Sequence, residues 1–420
     1  MNQFKAGFFQ TDITPPLHVP CAGSWTDVAV TGYLEPLKAN AVVLDDGQSK
    51  AAIVSLELCG ACETLTNDIR REIERRCGIP EDNVLVHTTH VHSGPKTTDD
   101  PNDHYSQNMK MQAVTAVWMA GKRLKDVKIG VGRATNEIFT HNRRLTAPNG
   151  EIAMNWFAPE DVSDCVENTD ARDTDVFALR FEDMAGNVVG FIINYSNHNN
   201  ARGGTVINPD FGGYIGQCLR AAYGGDVVTV LLLGACGDVN WVDYKDFNRR
   251  GDPWYFRRVG DSLLGNIYDI CSRLTYPDDL TIRMDYKVRM MRERAFCDYD
   301  FVVDRTFNNA PMDGLANAQK ALAGKPLAEY EVHVSFLALG GDIAFVTINA
   351  EMFAEYALAV KSKSPYAYTM MAELTNGCLN YIPTSADFAK GGYEVRKPAC
   401  YLENGAGDEI LEDMLSMITR

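Results

Sequence analysis

The sequence predicts an α/β protein in which mixed β-sheets are covered by helices. Three observations carry this. Short apolar, β-branched runs alternate with amphipathic helical stretches along the chain. Two pairs of such runs are separated by turn residues and read as antiparallel hairpins. Other runs are separated by whole helices, as crossovers are, so an all-parallel sheet is not expected.

Taken in order, Ala41–Leu44 and Ala51–Leu58 flank Asp45-Asp46-Gly47 and form the first hairpin. Thr64–Cys77 is a helix, because Leu65, Ile69, Ile73 and Cys77 recur every fourth residue and Gly78 and Pro80 stop it. Asn83–Thr88 is a short strand that feeds a histidine-rich loop, and His104–Leu124 is a second helix. Lys128–Arg133 is a strand, and Val176–Phe181 with Val188–Tyr195 make a hairpin around Ala185-Gly186-Asn187. Pro209–Tyr223 is a helix, and the nearly continuous apolar run Val227–Leu233 is a buried strand. Pro253–Leu274 is a long helix. Strands follow near Leu280–Met290, Val332–Leu337, Ile343–Ile348 and Tyr368–Ala372, with Glu351–Val360 helical between the last two. No linker rich in Pro, Gly or Ser interrupts this pattern. One large domain over residues 1–420 is expected, its portion beyond about residue 280 adding a second layer.

Composition narrows the function classes. The 420 residues are 45% hydrophobic and 23% charged, ordinary for a globular protein. Forty basic against fifty-six acidic residues give a net charge of −16, which repels phosphate backbones. Nucleic acid and anionic membranes are therefore not expected as partners. The longest apolar stretch, Val227 to Gly237, is too short to span a bilayer. The opening MNQFKAGFFQTDITPP lacks a secretory h-region, so a cytoplasmic location is expected, with a mature secreted form as the alternative. Eleven scattered cysteines fit reduced thiols better than a disulfide framework, and Cys59-Gly-Ala-Cys62 alone is a weak metal signal. The oligomeric state is not encoded in any of these features.

Five segments hold residues able to do chemistry. In Thr89-His90-Val91-His92-Ser-Gly-Pro95, an extended chain would put His90 and His92 on one face, with Cα atoms about 6.6 Å apart. Both could address one metal, or one could meet substrate. The bland alternative is two solvated loop histidines, and His87 belongs to core packing. His198 follows the apolar strand Val188–Tyr195. Gly234-Ala-Cys-Gly237-Asp-Val-Asn240 ends another strand, with small residues that permit close backbone approach. Glu351 comes directly after a strand, where a carboxylate also suits a helix start. Tyr381 and Tyr393 lie in loops, where tyrosines usually pack.

In this order, these segments resemble the catalytic domain of the neutral/alkaline ceramidase family. The resemblance begins at Ala6-Gly-Phe-Phe-Gln-Thr-Asp-Ile-Thr-Pro15 and runs through Thr89-His-Val-His-Ser-Gly-Pro95 and His141-Asn-Arg-Arg144. It continues with the His198 segment, Asp210-Phe-Gly-Gly-Tyr214, Gly234-Ala-Cys-Gly-Asp-Val239, Glu351 and the Tyr381/Tyr393 pair. The resemblance implies one zinc ion per chain, held by His90, His198, Glu351 and Tyr381. It implies that His92 lies beside the reacting water and that Arg143 and Tyr393 line the site. The implied activity is hydrolysis of a linear N-acyl amide bond in a small-molecule or lipid substrate. His92 would move the proton from water to the leaving amine, with Tyr393 and Arg143 supporting the oxyanion. A zinc esterase or phosphoesterase, or a non-catalytic metal-binding protein on the same fold, are the alternatives. Two departures from the family stand out. Asn240 replaces the family serine of Gly-Asp-Val-Ser, and no C-terminal immunoglobulin-like domain is expected before Arg420.

Overall fold

The computed structural model describes residues 4–24, 27–246, 252–301, 317 and 319–420. Two sheets pack face to face, and helices cover their outer sides. The larger sheet has eight strands. In spatial order they are Val228–Leu233, Val188–Tyr195, Asp175–Asp183, Lys125–Thr135, Lys5–Asp12, Lys38–Asp45, Lys50–Leu56 and Val84–Thr88. Pairing is mixed as expected. The two edge pairs, Val188–Tyr195 with Val228–Leu233 and Lys50–Leu56 with Val84–Thr88, are parallel. The interior pairs are antiparallel.

The smaller sheet is built beyond residue 280, where a second layer was expected. Its order is Ile282–Arg292, Glu329–Leu339, Ile343–Ile348 and Tyr368–Ala372, with only the last pair parallel. Its inner face, including Leu337, Phe345 and Met370, interleaves with Phe177, Leu179, Ile192 and Val230 of the larger sheet. Each such side chain contributes about 1.5–3 kcal/mol on burial. Helices Glu63–Cys77 and His104–Lys122 pack outside one half of the large sheet. Helices Asp210–Tyr223 and Tyr255–Ser272 cover the other half. Ala354–Lys363 and Ala406–Ile418 cover the small sheet. No described helix is long and apolar enough to cross a membrane. All eleven cysteines are free.

Among the elements that escaped the sequence reading, two matter most for the packing. Lys5–Asp12 is a central strand, although Gly7 interrupts its apolar pattern. A Cβ at Gly7 would sit 2.1 Å from the Ala120 carbonyl oxygen, so the glycine is what lets helix His104–Lys122 lie flat on the sheet. Helix Ala406–Ile418 buries Ile410, Met414, Met417 and Ile418 at helical spacing, a pattern the reading of the sequence left unassigned.

The mixed pairing decides where the loops meet. His90 follows Val84–Thr88, His198 follows Val188–Tyr195, and Gly234–Asp238 follows Val228–Leu233. Glu351 follows Ile343–Ile348, and Glu373 follows Tyr368–Ala372. All of them leave the carboxyl ends of strands that have a parallel partner. That is the end of an α/β sheet where ligand crevices form.

Candidate metal centre

His90, His198 and Glu351 converge. Their ligand atoms all lie within 4.8 Å of one another, and all three residues are buried. Glu351 Oε2 is 3.4 Å from His90 Nε2 and 3.4 Å from His198 Nε2. Each imidazole is anchored through its other nitrogen. His90 Nδ1 faces the Cys59 carbonyl at 2.9 Å, and His198 Nδ1 faces the Val239 carbonyl at 3.0 Å. With Nδ1–H donated to a carbonyl, each Nε2 keeps its lone pair directed at the third group.

The route to this arrangement differs from the expected one at two points. His90 is not in an extended segment: its φ is +56°, in the left-handed region, because the strand ends at Thr88. A non-glycine residue is strained there, and the Cys59 and Glu351 contacts hold it. His90 and His92 nevertheless meet, with Nε2 atoms 3.1 Å apart, through a turn rather than through strand alternation. Glu351 does not open a helix. It lies in the two-residue strand Glu351–Met352, and the helix begins at Ala354. That short strand pairs in parallel with Tyr381–Ile382, in a register that sets Glu351 beside Tyr381. Tyr381 is thus in a strand, not a loop.

The remaining candidates ring the cluster. Tyr381 hydroxyl is 3.5 Å from His198 Nε2. Arg143 Nη1 is 2.9 Å from the same nitrogen, and its guanidinium stands 4.9 Å above the Tyr381 ring. Tyr393 packs against Tyr381 with ring centroids 5.7 Å apart. His92 is the most exposed of the histidines here, and its Nδ1 faces the Gly23 carbonyl at 3.1 Å. Gly23 has φ +77°, and a Cβ there would lie 2.7 Å from the His92 ring, so no larger residue fits.

Several supporting residues carried no role in the sequence reading. Glu394 is fully buried and accepts from Arg143 Nε at 2.7 Å and Arg144 Nη1 at 2.5 Å. It therefore aims both guanidinium groups. Trp156 lies under the Arg143 guanidinium at 5.3 Å. Asp238 accepts from Asn142 Nδ2 at 2.7 Å and from the Ala354 amide at 2.8 Å, fixing the segment whose Val239 carbonyl orients His198. The glycines of this segment are packed against protein: a Cβ at Gly237 would sit 2.6 Å from the Glu351 carbonyl oxygen, and one at Gly234 would sit 2.1 Å from the Ser196 hydroxyl. Asn240 shares paired amide hydrogen bonds with Asn155 at 2.7 and 2.9 Å. His87 is core, as expected. Its Nε2 accepts from the Leu233 amide at 3.1 Å, and its Nδ1 meets Thr375 Oγ1 at 3.2 Å. The only local sign of Glu394 was a carboxylate next to Tyr393 behind two glycines.

Electrostatics follow from burial and neighbours. Burial, with the Arg143 charge beside it, pushes His198 down to about 4. Burial and the two other imidazoles push His92 well below its ordinary value. For Glu351 burial acts upward, yet His90, His198 and Arg143 outweigh it and hold the carboxyl at about 2. At neutral pH His198 is therefore neutral and Glu351 ionised, the state a divalent cation requires of its ligands.

A zinc ion fits these residues on two counts. Ligand bonds of 2.0–2.2 Å in tetrahedral geometry place ligand atoms about 3.3–3.5 Å apart, close to the spacing seen here. Glu351 Oε2 is a buried acceptor with no hydrogen-bond donor. One contact competes, since a metal at His198 takes the lone pair that Arg143 Nη1 now meets.

Comparison with known proteins was made by sequence and by structure. No family model matches the chain, and no curated protein matches it by sequence. Among the solved structures that match it, two do so along its whole length. One is a ceramidase complexed with C2, with a TM-score of 0.76 at 14% identity, covering 100% of this chain and 75% of the other. The second is neutral ceramidase from Pseudomonas aeruginosa, with a TM-score of 0.75 at 14% identity, covering 100% and 74%. The resemblance read from the motifs and the architecture of the two sheets thus agree: this chain has the fold of the neutral ceramidases.

Proposed function

We propose that this protein is a zinc-dependent hydrolase that cleaves a linear N-acyl amide bond with activated water. The observation that carries the proposal is the convergence of His90, His198 and Glu351 around an acceptor with no donor, on a ceramidase fold. His90, His198, Glu351 and the Tyr381 hydroxyl would hold the metal. Bound there, zinc supplies Lewis acidity and makes water acidic enough to ionise near pH 7.

The chain's own residues do the rest. With Nδ1–H donated to the Gly23 carbonyl, His92 Nε2 carries its lone pair 3.1 Å from His90 Nε2, where it can take a proton from water and return it to the leaving amine. Burial and the neighbouring imidazoles keep it neutral at pH 7. Arg143 is held by Glu394 through Nε, while its buried Nη2 has no hydrogen-bond partner. That donor suits the charge developing on the carbonyl oxygen under attack, and Tyr393 packs on the neighbouring Tyr381 ring. Asn240 carries no hydroxyl and its amide is paired with Asn155, so no acyl-enzyme forms at this position.

The substrate class is an N-acyl amine, either soluble or lipid. The test is metal analysis of the purified chain followed by a hydrolysis panel. One zinc at this centre, lost in His198→Ala, with release of a primary amine supports the proposal. Acid release without amine points to an esterase. An unchanged amidase rate in His90→Ala would sink the mechanism.

A further inference from the structure

A second cluster of histidine and carboxylates lies outside this crevice. Glu63 opens helix Glu63–Cys77, while Glu331 and His333 stand two residues apart on strand Glu329–Leu339 and so share one face. His333 Nε2 is 3.3 Å from Glu331 Oε2 and 3.6 Å from Glu63 Oε1. All three ligand atoms lie within 4.8 Å of one another. We propose that Glu63, Glu331 and His333 form a second metal site, for a borderline transition dication of the zinc class.

Three features of the cluster support this. The His333 side chain is only 2% exposed, yet its Nε2 has no hydrogen-bond partner although two carboxylates surround it. A buried polar atom left unpaired is costly, and a cation between the three groups removes that cost. Its Nδ1 is engaged by the Tyr286 hydroxyl. That oxygen also accepts from Arg70 Nη1 at 2.9 Å, and it can accept Nδ1–H as well. In that tautomer the Nε2 lone pair faces the carboxylates.

The carboxylates themselves lack a counter-charge. Among the described residues neither Glu63 nor Glu331 pairs with a lysine or arginine. The nearby Arg70 guanidinium is already taken by the Glu81 carbonyl, Asn67, Asp82 and Tyr286. The scaffold is also fixed before any ligand arrives. Asn349 accepts from the His333 amide at 3.0 Å and donates to the Glu331 carbonyl at 2.9 Å. One nitrogen and two carboxylates select zinc-class ions over magnesium or calcium, which prefer all-oxygen shells. Open ligand positions would face solvent, since 35% of the Glu63 side chain and 42% of the Glu331 side chain are exposed.

The test is zinc stoichiometry of the full chain by equilibrium dialysis after chelation, with metal analysis. Glu331→Gln and His333→Ala are each expected to bind one zinc fewer than wild type, or to hold that zinc at least tenfold more weakly. Equal stoichiometry and affinity in wild type and both variants would overturn the site. His333 is buried; where its variant misfolds, Glu331→Gln, at the half-exposed rim, decides alone. His198→Ala separates this proposal from the catalytic one, because a zinc retained there and lost in Glu331→Gln belongs to the rim.

Discussion

His90, His198 and Glu351 are each no more than 4% exposed, whereas Glu63 and Glu331 stand at a rim with 35% and 42% of their side chains in solvent. Both clusters use imidazole and carboxylate, and both leave one buried polar atom without a partner. The inner one is braced on every side. Carbonyls fix two ring nitrogens, and a buried Arg143–Glu394–Arg144 triad stands behind it. The outer one is braced on one side only, by Asn349 and Tyr286. Low dielectric and fixed geometry suit chemistry, because charge in such a site is neither screened nor free to relax. A rim cluster with solvent-exposed carboxylates suits binding.

The largest expected effect breaks the inner cluster at its ligands. His198→Ala should lower N-acyl hydrolysis about a thousandfold or more, equivalent to about 4 kcal/mol of barrier. Steady-state amine release measures it, and Glu331→Gln run alongside should stay within twofold of wild type. Equal losses in both variants would erase the distinction between the clusters.

Next comes the bracing. Glu394→Gln leaves two buried guanidinium groups short of their counter-charge, which should cost about 3–5 kcal/mol of stability. Urea denaturation measures it, and a shift in midpoint too small to correspond to about 1 kcal/mol would show that the triad is dispensable.

A pH effect is smaller and has a defined sign. Burial holds His87 at about 3, against an ordinary value of 6.5. Between those values the unfolded chain binds a proton that the native chain does not, so stability falls as pH falls through this window. It is fully retained above 6.5. The His87 contribution should be a loss of about 2 kcal/mol at pH 5 relative to pH 7. His87→Gln should flatten the stability–pH curve by that amount, and an unchanged curve would reject the assignment.

The smallest effect is at the departure from the family serine. Asn240→Ser removes one side of the paired amides and should destabilise by about 1 kcal/mol. Mass spectrometry of the variant with substrate should show no acylated protein, and an acyl adduct would reopen the serine route.

Local physics made much of this legible. The hairpin at residues 38–56 follows from β-branched runs around Asp45-Asp46-Gly47. Helix Glu63–Cys77 buries Leu65, Ile69 and Ile73 and ends at Gly78 with φ +68°, as the four-residue spacing and the glycine required. The strand-end positions of His90, His198 and Glu351 could also be read, because apolar runs end where polar loops begin. The resemblance gathered these positions into one site.

Other features had no local signal. His90 adopts a left-handed turn because Cys59, thirty-one residues earlier, accepts from its ring. Glu351 sits beside Tyr381 only because two short strands pair in parallel. Glu394 meets Arg143 across 251 residues of chain. Glu331 and His333 acquire a site only when Glu63 is packed against them from the other side of the molecule's sequence. Most of the elements, their class and the identities of the reactive side chains follow from local patterns, since periodicity and turn chemistry act over a few residues. Tertiary structure alone decided which of those side chains meet and in what state of charge. Burial, register and desolvation depend on partners hundreds of residues away, and no local pattern carries that information.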